Sequence, residues 1–152
     1  MQVRKILIAA DHGGATLKNT LKNYLEQKGI EVVDYGPQNA DTPVDYPDKA
    51  SELLKGMHTN LDTRGILICT SGIGMSIAAN RDPAIRGALV FNTEMAEMAR
   101  GHNNANVLIF GAKFISETEA KKCVDIFLST EFLGGRHERR VNKLSCIGGD
   151  TK

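Results

Sequence analysis

The segment Cys69-Thr70-Ser71-Gly72-Ile73-Gly74 holds the densest group of residues able to do chemistry. A short apolar run ends at Cys69 and an Ala-rich stretch runs on to Arg81, which predicts a strand, a turn and a helix. Gly72 and Gly74 let the backbone approach a ligand closely, so the N–H groups of the turn and helix start can face an anion. Cys69 then stands at the lip of an anion-binding pocket. The positive end of a helix dipole there favours thiolate over thiol and makes a better base or nucleophile. A lone cysteine is as often a small buried hydrophobe, and spacing alone leaves both readings open. Two other readings of the loop fail. A Cys-x5-Arg phosphatase loop needs a guanidinium where Met75 stands, and a dinucleotide fingerprint needs a third glycine where Ile77 stands.

Other chemistry-bearing groups lie at strand ends and in the tail. Asp11-His12-Gly13-Gly14 follows the apolar run Lys5–Ala10, and the carboxyl end of a buried strand is where open α/β sheets bind ligands. An acid and an imidazole there suit sugar hydroxyls or a phosphate, although Asp and Gly also build ordinary turns. His102-Asn103 comes after a Gly break and before a strand; near-neutral basicity suits its imidazole to proton transfer. In Gly134-Gly135-Arg136-His137-Glu138-Arg139-Arg140, helical phasing puts Arg136 and Arg140 one turn apart, able to close on one dianionic group. A solvated basic end is the plain alternative. Tyr46, at the end of a Pro-rich loop, faces either a ligand or an interface.

These groups need a scaffold, and the hydrophobic pattern supplies one. Strands are expected at Lys5–Ala10, 31–35, 64–69, 86–91 and 107–110. Between and after them come amphipathic helices: Leu17, Leu21, Tyr24 and Leu25 on the first, then Ala50, Leu53, Leu54 and Met57 on the second. A short helix over 94–100 is expected to turn Met95, Met98 and Ala99 inward, and a helix over 116–129 to bury Cys123. Such alternation implies a three-layer α/β/α domain with a mostly parallel sheet and right-handed crossovers, which gathers Asp11-His12 and Cys69–Gly74 at one sheet edge.

Composition narrows the function classes. The 152 residues are expected to form a single domain, 1–152, with a basic helical tail from about residue 134. A net charge of +1 gives no general attraction to nucleic acid or anionic lipid. The cysteines, Cys69, Cys123 and Cys146, are an odd number without a CxxC pair, and the histidines are dispersed. Reduced thiols in the cytoplasm and no metal site are therefore expected. The apolar run before Asp11 is too short for a signal segment or a membrane span.

Taken together, Ala10-Asp11-His12-Gly13-Gly14, Asp45-Tyr46-Pro47, Ile68-Cys69-Thr70-Ser71-Gly72-Ile73-Gly74, His102-Asn103 and Gly134-Gly135-Arg136-His137 resemble the type B ribose-5-phosphate isomerases and their relatives acting on allose and galactose 6-phosphates. The resemblance covers almost the whole chain. It implies a five-stranded Rossmann-like fold and reversible interconversion of ribose 5-phosphate and ribulose 5-phosphate through an enediolate, a step of the pentose phosphate pathway. It also implies no metal or organic cofactor, and a homodimer or higher homo-oligomer whose second protomer completes each site. By position, Cys69 would remove the C2 proton and His102 would assist ring opening. Thr70, Ser71, Gly72, Ile73 and Gly74 would bind the substrate, with the backbone N–H groups of the Ser71–Met75 turn stabilising the enediolate oxygen. Asp11, His12, Tyr46 and Asn103 would hold the sugar, and Lys113, Arg136 and Arg140 the phosphate. Three places depart from the pattern: Met75 stands where some relatives carry a glutamate base, Lys113 where arginine is frequent, and Thr70-Ser71 where Gly-Thr is more usual. The alternatives are isomerisation of a six-carbon sugar phosphate, and a non-catalytic sugar-phosphate or nucleotide-binding protein.

Overall fold

Apolar runs of strand length separated by amphipathic helices leave the chain one economical way to cover its sheet, and the computed structural model, which describes residues 2–148, adopts it. The strands β1 (Lys5–Ala10), β2 (Glu31–Asp34), β3 (Arg64–Cys69), β4 (Gly87–Leu89) and β5 (Val107–Gly111) form one sheet. Their order is β2-β1-β3-β5-β4, and every pairing is parallel. Helices α1 (Ala15–Gln27), α2 (Tyr46–Thr59), α3 (Ile73–Ala79), α4 (Thr93–Gly101) and α5 (Glu117–Ser129) cover the two faces, and α6 (Arg136–Leu144) follows.

β1, β3 and β5 are central and buried on both faces, which is why they read as continuous apolar runs. Alternate side chains part to opposite layers. Ile6, Ile8, Ile66, Ile68, Leu108 and Phe110 pack with α1, α4 and α5. Leu7, Ala9, Leu67, Cys69, Val107 and Ile109 pack with α2 and α3. From β1 the chain passes outward to β2, then crosses to β3 on the other side of β1. The carboxyl ends of β1 and β3 therefore form the crevice of the switch point, with Asp11 and Thr70 at its lips.

Two local expectations are corrected. The fourth strand is shorter than residues 86–91: it pairs over Gly87–Leu89 at the edge of the sheet, and the Arg86 N–H goes to the Asn106 side-chain Oδ1 at 2.8 Å instead of to a strand carbonyl. Met95 and Met98 do not face inward: they are 37% and 46% exposed, while Ala96 and Ala99 of the same helix are buried. The small alanines let α4 lie close to α5 and the sheet, leaving the methionines on the outer face.

One polar pair is set into this framework. Lys18, wholly buried on α1, gives its ammonium to Asp34 Oδ2 at 2.7 Å and Asn19 Oδ1 at 2.8 Å. Asp34, at the end of β2, also accepts the Gly36 N–H at 2.7 Å. The pair therefore ties α1 to the turn that begins the long loop towards α2. Removing one partner leaves a buried charge without compensation, so Lys18→Met is expected to lower the unfolding free energy in urea by about 3–5 kcal/mol. The double variant Lys18→Met/Asp34→Asn should recover a large part of it. A single-variant loss below about 1 kcal/mol would mean that the ammonium is no structural anchor.

Candidate active site

β3 delivers Cys69 to the carboxyl edge, in register with Gly111 at the end of β5. Rather than standing at a lip, the thiol is buried, 4% exposed, on the layer that holds Met75 and Ala79. It is not buried in hydrocarbon alone: the Gly72 N–H donates to Sγ at 3.2 Å. Three glycines make this possible, each for its own reason. Gly72 caps α3 with φ of 79°, in the left-handed region. A Cβ on Gly111 would lie 2.3 Å from the Ser71 carbonyl oxygen, so only a bare strand end lets the turn settle on it. At Gly74 the constraint is proximity, since a Cβ there would fall 2.7 Å from the Tyr46 ring.

The turn is held from several sides. Ser71 Oγ accepts the Ile73 N–H at 3.2 Å, and the carbonyls of Cys69 and Thr70 accept the N–H groups of Ala112 and Lys113 at 2.9 and 3.0 Å. The first N–H groups of α3, which begins four residues after Cys69, have no intrahelical acceptor. The Ile73 side chain is exposed, so that residue can serve a ligand at this turn through its backbone. Lys113 is brought to this edge with its side chain exposed.

Across the crevice, Asp11 is 8% exposed and one carboxylate oxygen caps the following turn, accepting the Gly14 N–H at 3.1 Å. A Cβ on Gly13 would meet the Thr70 hydroxyl at 2.1 Å, so the ends of β1 and β3 touch here. His12 Nδ1 lies 3.2 Å from the Val44 nitrogen and 3.3 Å from the Val44 carbonyl oxygen, so the Val44 peptide holds this face of the ring whichever nitrogen carries the proton. Asp11, His12, Tyr46, Thr70–Gly74 and Lys113 are thus gathered at one edge of the sheet.

His102, Asn103, Arg136 and Arg140 do not join it within the chain. His102 caps the C-terminus of α4 and precedes β5, whereas Cys69 is level with the end of β5. The two lie at opposite edges of the sheet, separated by about the length of β5, roughly 13 Å at the rise of a parallel strand. There His102 meets α6. Its ring stacks on His137 with centroids 4.3 Å apart and planes 6° from parallel. Asn103, Arg140, Val141 and Leu144 complete a cleft of about 240 Å³ around the two rings. Buried Arg100 braces this corner by donating to Asn104 Oδ1 at 2.9 Å and the Ala105 carbonyl at 2.7 Å. Its burial, and then the nearby Arg64, lower that guanidinium to about 10. Asn104 itself takes a left-handed φ of 49°. Among the described residues no group of three or more His, Cys, Asp or Glu is placed to hold a metal ion, and no helix is long and apolar enough to cross a membrane.

Residues 6–144 match the sequence profile of the ribose/galactose isomerase family. The chain belongs to that family. It is 49% identical to a ribose 5-phosphate isomerase of Thermotoga maritima, whose crystal structure superposes with a TM-score of 0.91 over 94% of this chain and 98% of that one. It is 43% identical to the ribose-5-phosphate isomerase B of Mycoplasma genitalium solved with bound ribulose 5-phosphate, with a TM-score of 0.88 over 92% and 93% of the two chains. The Escherichia coli ribose-5-phosphate isomerase B is 37% identical, over 95% of this chain and 97% of its own.

Sequence reasoning on this isomerase gave no part to His137, although the residue lies between Arg136 and Arg140. Its nearness to His102 is a tertiary contact between α6 and the end of α4, and no local pattern announces it. The three thiols differ in the structure. Cys146 is exposed, Cys69 is held under the turn, and Cys123 is buried with its thiol pushed up to about 11 by burial and then by Glu119. Since the thiolate is the nucleophile, brief alkylation at about pH 8 should modify Cys146 first and leave Cys123 unmodified until the chain unfolds. Peptide mapping by mass spectrometry measures this, and labelling of Cys123 alongside Cys146 would contradict the burial.

Proposed function

We propose that this isomerase interconverts ribose 5-phosphate and ribulose 5-phosphate, as a homodimer in which the second protomer completes each site. The observation that carries the reading is the Cys69 sulfur, which accepts the Gly72 N–H beneath a turn of further amides, at the strand-end edge that also carries Asp11 and His12. Support for the substrate comes from the Mycoplasma genitalium relative, which was solved with ribulose 5-phosphate.

Chemistry at this site would run in two stages. The sugar must first open, a proton reaching the ring oxygen as the anomeric hydroxyl loses its own; His102 is the group proposed for this transfer. Sγ of Cys69 then takes the C2 proton. The C–H electron pair forms the C1–C2 double bond and the carbonyl oxygen becomes negative, facing the N–H groups of Ser71–Met75. Each well-placed donor of this kind lowers the barrier by roughly 3–4 kcal/mol, and a positioned base adds about 10²–10⁴-fold. The proton of the C2 hydroxyl passes to the C1 oxygen, the double-bond electron pair takes the proton from Sγ at C1, and the carbonyl that forms at C2 gives the ketose. Asp11, His12, Tyr46 and Asn103 would bind hydroxyls, and Lys113, Arg136 and Arg140 the phosphate. Carbon acid chemistry of this kind needs no organic cofactor.

A single chain cannot bring His102 to Cys69, and the molecular surface offers a way for two to do so. Met95 and Met98 are exposed along α4. At the carboxyl edge, Phe91 and Phe114 form an exposed edge-to-face pair with centroids 6.4 Å apart. A two-fold axis across this face would carry His102 of one protomer towards the partner's Cys69 edge, and bury the apolar stripe that the fold leaves open. The test is a coupled assay for ribulose 5-phosphate on mixed chains. Cys69→Ala and His102→Ala are each expected to lose about 10²–10⁴-fold in turnover. Refolded together at equal amounts, about half of the dimers are mixed and one of their two sites is intact, so about a quarter of wild-type activity should return. No recovery would mean that each site draws on one chain, and an inactive wild type would overturn the substrate assignment.

A further inference from the structure

We propose that His137 is a positioning residue for ring opening: lying flat against His102, it fixes the plane of that imidazole so that one ring nitrogen meets the furanose ring oxygen. The inference rests on the reading of His102 as the ring-opening group. It starts from a geometry that helix capping alone does not require. His102 follows the last residue of α4, where its backbone N–H donates to the Met98 carbonyl at 2.8 Å, but among the described residues no hydrogen bond engages its ring. The ring's orientation is therefore left to packing, and the flat contact with His137, at 4.3 Å and 6°, supplies it.

The chain takes some trouble to bring His137 there. The Leu133 N–H donates to the Gly101 carbonyl at 3.0 Å, tying the segment before α6 to the residue before His102. Gly134 and Gly135 then turn the chain through φ of 66° and 57°, and α6 begins at the next residue. His137 stands in the first turn of α6, with Arg136 and Arg140 on the same helix.

Electrostatics suit a platform better than a second acid. Two imidazolium rings at this distance would repel. Partial burial, then His102, Arg136 and Arg140, lower the basicity of His137, so it stays neutral over more of the pH range and offers its π face to whichever charge His102 carries. Arg136 and Arg140 remain free to meet a phosphate while the ring between them meets a side chain of its own protomer.

Ribulose 5-phosphate separates this role from a general structural one. It has no furanose form, because the hydroxyl that would close the ring carries the phosphate. Exchange of its C1 hydrogen with solvent therefore reports proton abstraction without ring opening. For His137→Ala, kcat with ribose 5-phosphate should fall about tenfold with KM within about twofold of wild type, while C1 exchange from ribulose 5-phosphate stays within about twofold. His137→Phe keeps a flat partner and should restore most of kcat. An unchanged kcat in His137→Ala, a raised KM alone, exchange falling in parallel with turnover, or His137→Phe as poor as His137→Ala would each overturn the proposal. Wild-type protein in the same assays reports separately on the substrate: a chain that neither converts ribose 5-phosphate nor exchanges ribulose 5-phosphate overturns the function, and this role with it.

Discussion

A peptide N–H aimed at a sulfur joins the fold of this protein to its chemistry. For Gly72 to reach Cys69, the turn after β3 must double back over the strand it has just left. That path exists only because residue 72 tolerates a left-handed φ and because residue 111, on the neighbouring strand, has no side chain to hold the turn away. The parallel register of β3 with β5 sets Cys69 level with Gly111, and the register of β1 with β3, with Ala10 opposite Ile68, brings Asp11 to the level of Cys69. Burial of the central strands thus fixes where the proposed reacting groups stand.

The same sheet divides the functional groups. In a parallel sheet, residues that follow strands gather at one edge and residues that precede them at the other. Asp11, His12, Cys69 and Lys113 follow strands; His102 and Asn103 precede one, and α6 packs beside them. No rotation of side chains closes a gap the length of a strand. The proposed association of two copies would close it, and the exposed methionines of α4 offer such association an apolar surface to bury.

Much of this was legible in the sequence, and the parts that were not have physical reasons. β1, β3 and β5 declare themselves because strands buried on both faces must be apolar throughout. The glycines of the 69–74 loop announce a close approach, though not that Gly74 makes room for Tyr46 while Gly72 serves a backbone conformation. Met95 and Met98 misled because an apolar period on a helix does not say which of two apolar faces meets the core, and the smaller alanines took that place. Lys18 reads as a solvated residue between leucines, yet it is buried, because its partner Asp34 comes from a different element. His137 escaped notice for the same reason: its partner is 35 residues away, counting from His102 to His137, and only the packing of α6 brings them together.

The sulfur is what most deserves measurement, since every proposed role at the carboxyl edge is arranged around it. Ribose 5-phosphate carrying deuterium at C2, incubated with wild-type and Cys69→Ala protein, reports directly on removal of that hydrogen. Wild-type protein should wash out or transfer the label in step with turnover. The variant should bind the sugar with a similar dissociation constant and leave the deuterium at C2 through many wild-type turnover times. Loss of label from the variant at a rate close to that of wild type would show that another group is the base.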